Sequence, residues 1–397
     1  MTPYAGNDAN FPTTVSQPDN SDLINPAAGT LNVPSQGTLD RTAYLHKRLA
    51  AAPACSWEPQ VAMVSSCDNA AWSSKGGYWW ACGGGNADLI KATPDYGKSW
   101  SSVVPGALGL LVYSLDFDLA GNACVVSTGG AAAQRIYSYT FATATWSVSG
   151  AGFGLIGTVN KARVRFESTN SVWACFYNDT TAVTGAMRVS TSLDRVTWTD
   201  RTASLPSAFV VVTTQTPHIG VGGGNIVAAF KSSATTVNVA RAVASAPTVW
   251  VGATITTTTI TAITDCSDPA YSNEDATWQL AICGTTAGNN VTEFYKSTDG
   301  GQTWTLSATI ATSGLRVGYL ANLGHLFAGL SLDGFIVYSL DLGTTWFPAG
   351  MKCATPGATN VSLWSGGGGL LVVDYGVGAN SRTSAIRLSN LGAVALT

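Results

Sequence analysis

The sequence predicts an all-β fold: a β-propeller of seven blades, alternatively six, behind an extended N-terminal arm that carries one short helix. Three observations lead there. A turn of the form Ser/Thr-x-Asp-x-Gly-x-Ser/Thr-Trp recurs along the chain. The tryptophans that end these turns and their degenerate copies keep a period of about 49 residues, the length of a four-stranded blade. Charged residues make up only 11% of the chain, against about 25% in typical domains, and glycine is plentiful. That balance suits strands joined by tight turns.

The turns come first, because they set the register. The clearest copy is Ser297-Thr298-Asp299-Gly300-Gly301-Gln302-Thr303-Trp304. A second holds Asp95, Gly97 and Trp100, and a third holds Asp341, Gly343 and Trp346. A shortened copy, Ser192 to Trp198, keeps Asp194 and Trp198 but has no glycine. A short Asp side chain accepts hydrogen bonds from nearby backbone N–H groups. The glycine takes positive φ without steric cost. The Trp then leaves on the next strand and buries a large apolar surface. Trp146 and Trp250 end two degenerate copies. From Trp100 to Trp346 the six tryptophans are 46, 52, 52, 54 and 42 residues apart.

A second ruler agrees. About twenty residues before each Trp lies a short apolar run, such as Trp79-Trp80-Ala81-Cys82, Trp173-Ala174-Cys175-Phe176 and Leu280-Ala281-Ile282-Cys283. These runs suit strands buried on both faces. Cys82, Cys124, Cys175 and Cys283 share one place in the repeat, so they are expected to be buried thiols that pack as small apolar side chains. Cys55 and Cys353 begin the first and last blades, where a bond is open; Cys67 and Cys266 have no evident partner. The last unit is expected to supply its own outermost strand, Ala393 to Leu396. The first is expected to begin its innermost strand near Val61, with no strand exchanged between the two ends.

The recurrent turn resembles the Asp box, or BNR repeat, of sialidase-like β-propellers. The resemblance implies the propeller architecture and a structural role at the blade periphery for Asp95, Gly97, Trp100, Asp194, Trp198, Asp299, Gly301, Trp304, Asp341, Gly343 and Trp346. It also prompts a search for sialidase chemistry. Those enzymes resemble one another in three carboxylate-clamping arginines, the first in a Phe/Tyr-Arg-Ile-Pro motif, and that motif is absent here. Arg163 and Arg165 alternate along one strand and face one side; Arg316, Arg382 and Arg387 are scattered.

Residues 1–50 form a different object, and the propeller occupies 52–397. Five prolines punctuate the first 37 residues, and no Lys or Arg precedes Arg41. Such a segment cannot bury a core of its own. A helix is expected over about 39–51, capped by Thr38 and stopped by Pro53. Asn25-Pro26, Leu31-Asn32-Val33-Pro34 and Leu39-Asp40-Arg41-Thr42-Ala43-Tyr44-Leu45 resemble the leader of many bacteriophage tail-fibre and virion appendage proteins. The resemblance implies an arm that docks on other virion proteins or sister subunits through Leu39, Arg41, Tyr44, Leu45 and Leu49, in a homo-oligomeric or multi-copy assembly.

Catalytic signatures are sparse. Glycoside cleavage needs two carboxylates at a set separation. Glu58, Glu167, Glu274 and Glu293 are the only Glu residues, and Asp179, Asp265, Asp268, Asp275 and Asp374 are expected in loops. No pair can be read from spacing. His46, His218 and His325 are isolated, so no zinc cluster is legible. No cofactor is expected; Asp265, Asp268 and Asp275 are the only weak candidates, for Ca²⁺. Trp72 and Trp364 lie near turns and are candidates for stacking on a sugar, while Trp80 and Trp173 share the face of the repeat cysteines and belong to the core.

The net charge of −3 argues against nucleic acid and anionic membranes as partners. No basic stretch followed by an apolar core marks a signal peptide, and no apolar run is long enough to span a membrane. The expected function is therefore non-catalytic: a virion protein, made in the host cytoplasm, whose propeller meets host-surface glycan or a neighbouring subunit. A glycosidase or sialidase-like enzyme is the first rival. A cellular assembly factor is the second, since single Asp-box propellers resemble some photosystem assembly proteins.

Overall fold

A computed structural model describes residues 58–59, 69–82, 90–95, 99–103, 111–128, 134–149, 159–179, 186–209, 217–310, 317–323, 326–331, 335–352, 360–366, 369–377 and 380–387. The chain divides into two units, residues 1–56 and 57–397, and all described residues belong to the second. Leu39, Arg41, Tyr44, Leu45, Leu49 and the expected helix therefore lie outside the described residues. So do Gly97, Cys55, Cys67, Cys353, His46, His325 and Arg316.

Among the described residues the strands form seven antiparallel sheets: six run as meanders in chain order, the fifth with one extra short strand, and the seventh takes one strand from the start of the propeller sequence. The first strand of each sheet lines the axis. In chain order these inner strands are Asn69–Ser73, Leu111–Phe117, Val159–Glu167, His218–Gly222, Ala262–Cys266, Val317–Leu323 and Asn360–Gly366. Each packs on the next sheet, and the seventh packs on the first. The result is a closed β-propeller. Two short 3-10 turns, Thr202–Ser204 and Ser207–Phe209, are the only helical pieces among the described residues. No helix among them is long and apolar enough to cross a membrane.

Second strands are buried on both faces, as their unbroken apolar runs require. Trp79 to Cys82, Ala123 to Val126 and Ile226 to Phe230 are buried throughout. The core consists of interfaces between adjacent blades. Cys124, Val126 and Ile136 of the second blade pack with Val164, Trp173 and Cys175 of the third. Phe176 and Val189 of the third pack with Ile226 and Phe230 of the fourth. The two repeat cysteines Cys124 and Cys175 are thiols, and burial pushes both well above the usual thiol range. Cys82 and Cys283 are buried as well, but the four cysteines do not share one place in the repeat as expected: Trp79, Ala123, Trp173 and Trp278 stand opposite the first residue of their turns, and the cysteines follow three, one, two and five residues later.

Inner strands are stitched by side chains that accept the neighbour's backbone N–H. Asn69 Oδ1 accepts from Leu115 at 3.1 Å, Ser114 Oγ from Val164 at 3.0 Å, and Asp116 Oδ2 from Phe166 at 2.8 Å. Gly220 permits closest approach, since a Cβ there would stand 2.0 Å from the Pro269 carbonyl oxygen.

Ring closure differs from the sequence expectation. Glu58–Pro59 pairs antiparallel with Asn380–Arg387, with Glu58 opposite Ala385 and Pro59 opposite Ser384. The last blade therefore takes its outermost strand from the beginning of the propeller sequence. The exchange covers what would be an open edge of the last sheet with backbone hydrogen bonds. The first blade's inner strand is Asn69–Ser73, later than the expected Val61. Ala393 to Leu396 lie outside the described residues.

Candidate functional site

The recurrent Asp turns lie between the third and fourth strands of their blades. Asp299 Oδ1 accepts the N–H of Gln302 at 3.0 Å and of Thr303 at 2.9 Å. Ser297 Oγ donates to Asp299 at 2.8 Å and accepts the N–H of Gly301 at 2.9 Å. The Trp304 indole N–H closes the turn on the Gly301 carbonyl at 3.0 Å. Asp341, Ser339, Gly343 and Trp346 repeat this set. Asp95 accepts from Ser99 and Thr93 in the first copy. Burial pushes the Asp299 carboxyl up, but hydrogen bonds from Thr303, Ser297 and Gln302 outweigh it and bring it to about 2.

In the two full copies described throughout, the two residues after the Asp adopt positive φ: Gly300 and Gly301, then Leu342 and Gly343. The shortened copy has one, Arg195 at φ 68°, and so closes one residue sooner. Arg195 offers its carbonyl to the Trp198 indole at 3.1 Å, in the place of the missing glycine.

Each turn also reaches the preceding blade. Gln279 of the fifth blade donates to the Leu342 carbonyl at 2.9 Å. Trp346 stacks on Phe294 with ring centres 4.0 Å apart. Arg195 donates to the Tyr139 carbonyl at 2.8 Å, and Trp198 packs with Val126 and Ile136. The degenerate Trp146 stacks on Trp80 in the same way. These turns join blades, and the residues described in them do not open onto the cavity found in the structure.

The axis does. A cavity of about 430 Å³ opens between the inner strands, and all seven blades contribute to its wall. Trp72 and Trp364, singled out as surface tryptophans, both line it. They come from the first and last blades and pack on one cluster with Ala70, Trp79 and Ala81. Arg165 of the third blade lies over the Trp364 ring, 5.3 Å from its centre.

Arg165 heads a charged chain. Its Nη2 meets Asp268 Oδ2 at 2.8 Å, and Nη1 donates to the Val164 carbonyl at 2.9 Å. Asp268 Oδ1 holds His218 Nδ1 at 3.0 Å, and Asp265 Oδ1 holds His218 Nε2 at 3.1 Å. Burial alone would lower the His218 pKa, but the neighbouring Cys266, then Asp265 and Asp268, outweigh it and raise it well above 6.5. Burial would raise Asp268, but His218 and Arg165 hold it well below the usual carboxylate range. At Asp116, on the same wall, burial wins over Arg165 and two backbone N–H groups, and the carboxyl is raised.

Asp265 and Asp268 thus serve a histidine, contrary to the view of His218 as isolated. Asp275 is elsewhere, in an exposed turn where it bonds Thr277. Asp179, Asp265 and Asp374 belong to strands rather than loops. Two of the four Glu residues are absorbed by backbone: Glu167 accepts from Thr169, Asn170 and Gly224, and Glu293 from Thr258, Thr259 and Ile260. Sequence reading missed Asp116 and His218 as site residues and left Arg165 without a partner. The signal available was blade period on the inner strands, since Asp116 and Arg165 occupy corresponding places one blade apart.

No family model matches the sequence, and no curated protein matches it significantly. Among solved structures, the chain is similar to YCF48 from Cyanidioschyzon merolae, with a TM-score of 0.54 at 14% identity over 81% of this chain and 96% of that one. YCF48 bound to D1 peptide gives a TM-score of 0.53 at 12% identity, over 82% and 95%. An α-L-arabinofuranosidase from Fusarium graminearum gives 0.47 at 13% identity, over 70% and 94%. At these identities the first two likenesses establish the β-propeller fold and leave function to the site.

Proposed function

We propose that this chain is a non-catalytic binding propeller of a virion, anchored by residues 1–50, whose axial cavity takes a host-surface glycan. The observation that carries the binding reading is the convergence of Trp72, Trp364 and Arg165 on one cavity wall. Indole faces pack on the apolar faces of sugar rings, and charged and polar groups beside them meet the hydroxyls. The virion part rests on the leader-like sequence of Leu31 to Leu45, and the structural part of the Asp-box reading on the four like turns.

The test is a glycan panel probed with the fluorescently labelled full chain. Binding is expected, and Trp364→Ala and Trp72→Ala are expected to abolish it while melting cooperatively. Absence of binding, or variants that bind as the wild type does, would overturn the cavity as the site. For the arm, a chain starting near Ala52 should fold yet fail to join particles; normal incorporation would refute anchoring.

A second reading, glycoside cleavage, has one observation in its favour. Asp116 and Asp268 line the same cavity with their carboxyls pushed in opposite directions, the pattern of an acid and its partner. Against it, both carboxylates already have internal partners: Asp116 the N–H groups of Phe117 and Phe166, Asp268 the side chains of Arg165 and His218. Release of reducing sugar from any bound glycan, lost in Asp116→Asn, would favour this reading over the first.

A further inference from the structure

We propose that His218, Asp265 and Cys266 form a binding site for a divalent transition metal, zinc by its donor set. Their donor atoms all lie within 4.8 Å of one another. His218 comes from the inner strand of the fourth blade, and Asp265 and Cys266 from that of the fifth. Successive residues of a regular strand point to opposite faces. The Asp265 side chain offsets that alternation by folding back: its Oδ1 accepts the Cys266 N–H at 2.9 Å and also meets His218 Nε2, so neighbours in sequence serve one site.

The surroundings match what a metal-bound histidine needs. A ligating imidazole characteristically donates its second ring N–H to a carboxylate, which fixes the ring. Here Asp268 holds Nδ1 at 3.0 Å and is itself held by Arg165 at 2.8 Å. That arrangement turns Nε2 toward Asp265, 3.1 Å away, with the Cys266 thiol beside it. The cysteine is wholly buried and reduced, so it is sheltered from oxidants and from stray disulfide exchange.

Donor chemistry selects the ion. Thiolate and imidazole with one carboxylate suit zinc, whereas calcium takes six to eight hard oxygens. Asp275, which would add oxygen ligands, bonds Thr277 in a separate turn. Binding displaces one proton from Nε2 and one from the Cys266 thiol, and both leave to solvent. The ion then holds one nitrogen, one sulfur and one oxygen from the protein. Three protein donors leave a coordination position for water.

Cobalt(II) is the probe, because a cobalt–thiolate bond absorbs in the near ultraviolet and aqueous cobalt does not. The full chain, stripped by chelator under reductant, is titrated with Co²⁺ and then with Zn²⁺. About one equivalent of Co²⁺ should bind with a thiolate charge-transfer band, and Zn²⁺ should displace it and raise the melting temperature. Cys266→Ser should remove the band although every other cysteine remains. Asp265→Asn, at a partly exposed position, should weaken binding at least about tenfold, and Asp268→Asn by about ten- to a hundredfold through loss of ring positioning. Asp275→Asn should bind as the wild type does. His218→Gln unties two blades and can fail to fold, so the decision rests on the other variants. Absence of the band, or its survival in Cys266→Ser, would overturn the proposal and leave a plain ion-pair chain. Failure of glycan binding has no bearing on this result.

Discussion

The Asp turns and the axial cavity both depend on aspartate, and they use it in opposite ways. At the turns, Asp299 bonds Ser297, Gln302 and Thr303, all within four positions of itself. At the cavity, Asp268 takes Arg165 from 103 residues away and His218 from 50. The turn is complete as soon as the local chain folds. The cavity exists only when the ring has closed. Repetition therefore builds the outer structure, and departures from repetition build the site: among the described residues, one blade offers an arginine to the cavity wall and two offer carboxylates.

The most severe test of this contrast is Trp346→Ala. This Trp is buried and stacks on Phe294 of the preceding blade. Its loss should cost on the order of 3–5 kcal/mol, as large-to-small core changes do. Trp304 is partly exposed and packs on the cluster of the preceding blade from its edge, so Trp304→Ala should cost less. Chemical denaturation of both variants checks the order. Equal losses would mean that the turns, and not the contacts they make across blades, carry the stability.

Next comes Asp341→Ala. It strands the N–H of Thr345 and the hydroxyls of Ser339 and Thr345. A cost of about 1–3 kcal/mol is expected from the unpaired groups. Glycan binding at the axis should be unchanged, because no Asp turn lines the cavity. A variant that folds well and yet binds poorly would break the separation between periphery and axis.

Trp364→Ala should do the reverse. The ring is partly exposed and lies under Arg165, so its removal should cost only about 1 kcal/mol. Binding at the cavity should nevertheless disappear. A large loss of stability would show Trp364 to be a keystone between first and last blades rather than a ligand platform.

The same contrast explains what the sequence made legible. The Asp turn is a local device whose chemistry sits within eight residues, so Asp299, Gly301 and Trp304 announce themselves, and their period announces the ring. Trp72 and Trp364 were legible as surface tryptophans but not as neighbours, because only closure brings the first and last blades together. His218 looked isolated because its partners are 47 and 50 residues on. Arg165 was visible as one of two arginines on a strand, yet nothing near it in sequence names Asp268. Closure itself was misjudged: Glu58 and Pro59 carry no strand-like pattern, and two residues paired at an edge leave no periodic signal.

The smallest expected effect is on acid stability, and here the turn aspartates and Asp116 of the cavity should differ in sign, whereas Asp268, held low by His218 and Arg165, behaves as the turns do. Asp299 falls from 3.8 to about 2 on folding, and Asp95, Asp194 and Asp341 are lowered too. A carboxyl lowered on folding adds stability above its unfolded value and loses it as pH falls through the folded one. The turns should therefore weaken between about pH 4 and pH 2. Asp116 is raised, so its contribution is present below about pH 4 and is lost as pH rises through its folded value. Melting temperature against pH separates them. Asp299→Asn should flatten the loss below pH 4, since one titrating carboxyl is gone. Asp116→Asn should leave that acid limb in place and instead lessen the change at higher pH. If Asp299→Asn follows the wild type throughout the acid range, its turn does not differ in proton binding between folded and unfolded chains, and the hydrogen bonds drawn at Thr303 and Gln302 are not those that hold the blade in solution.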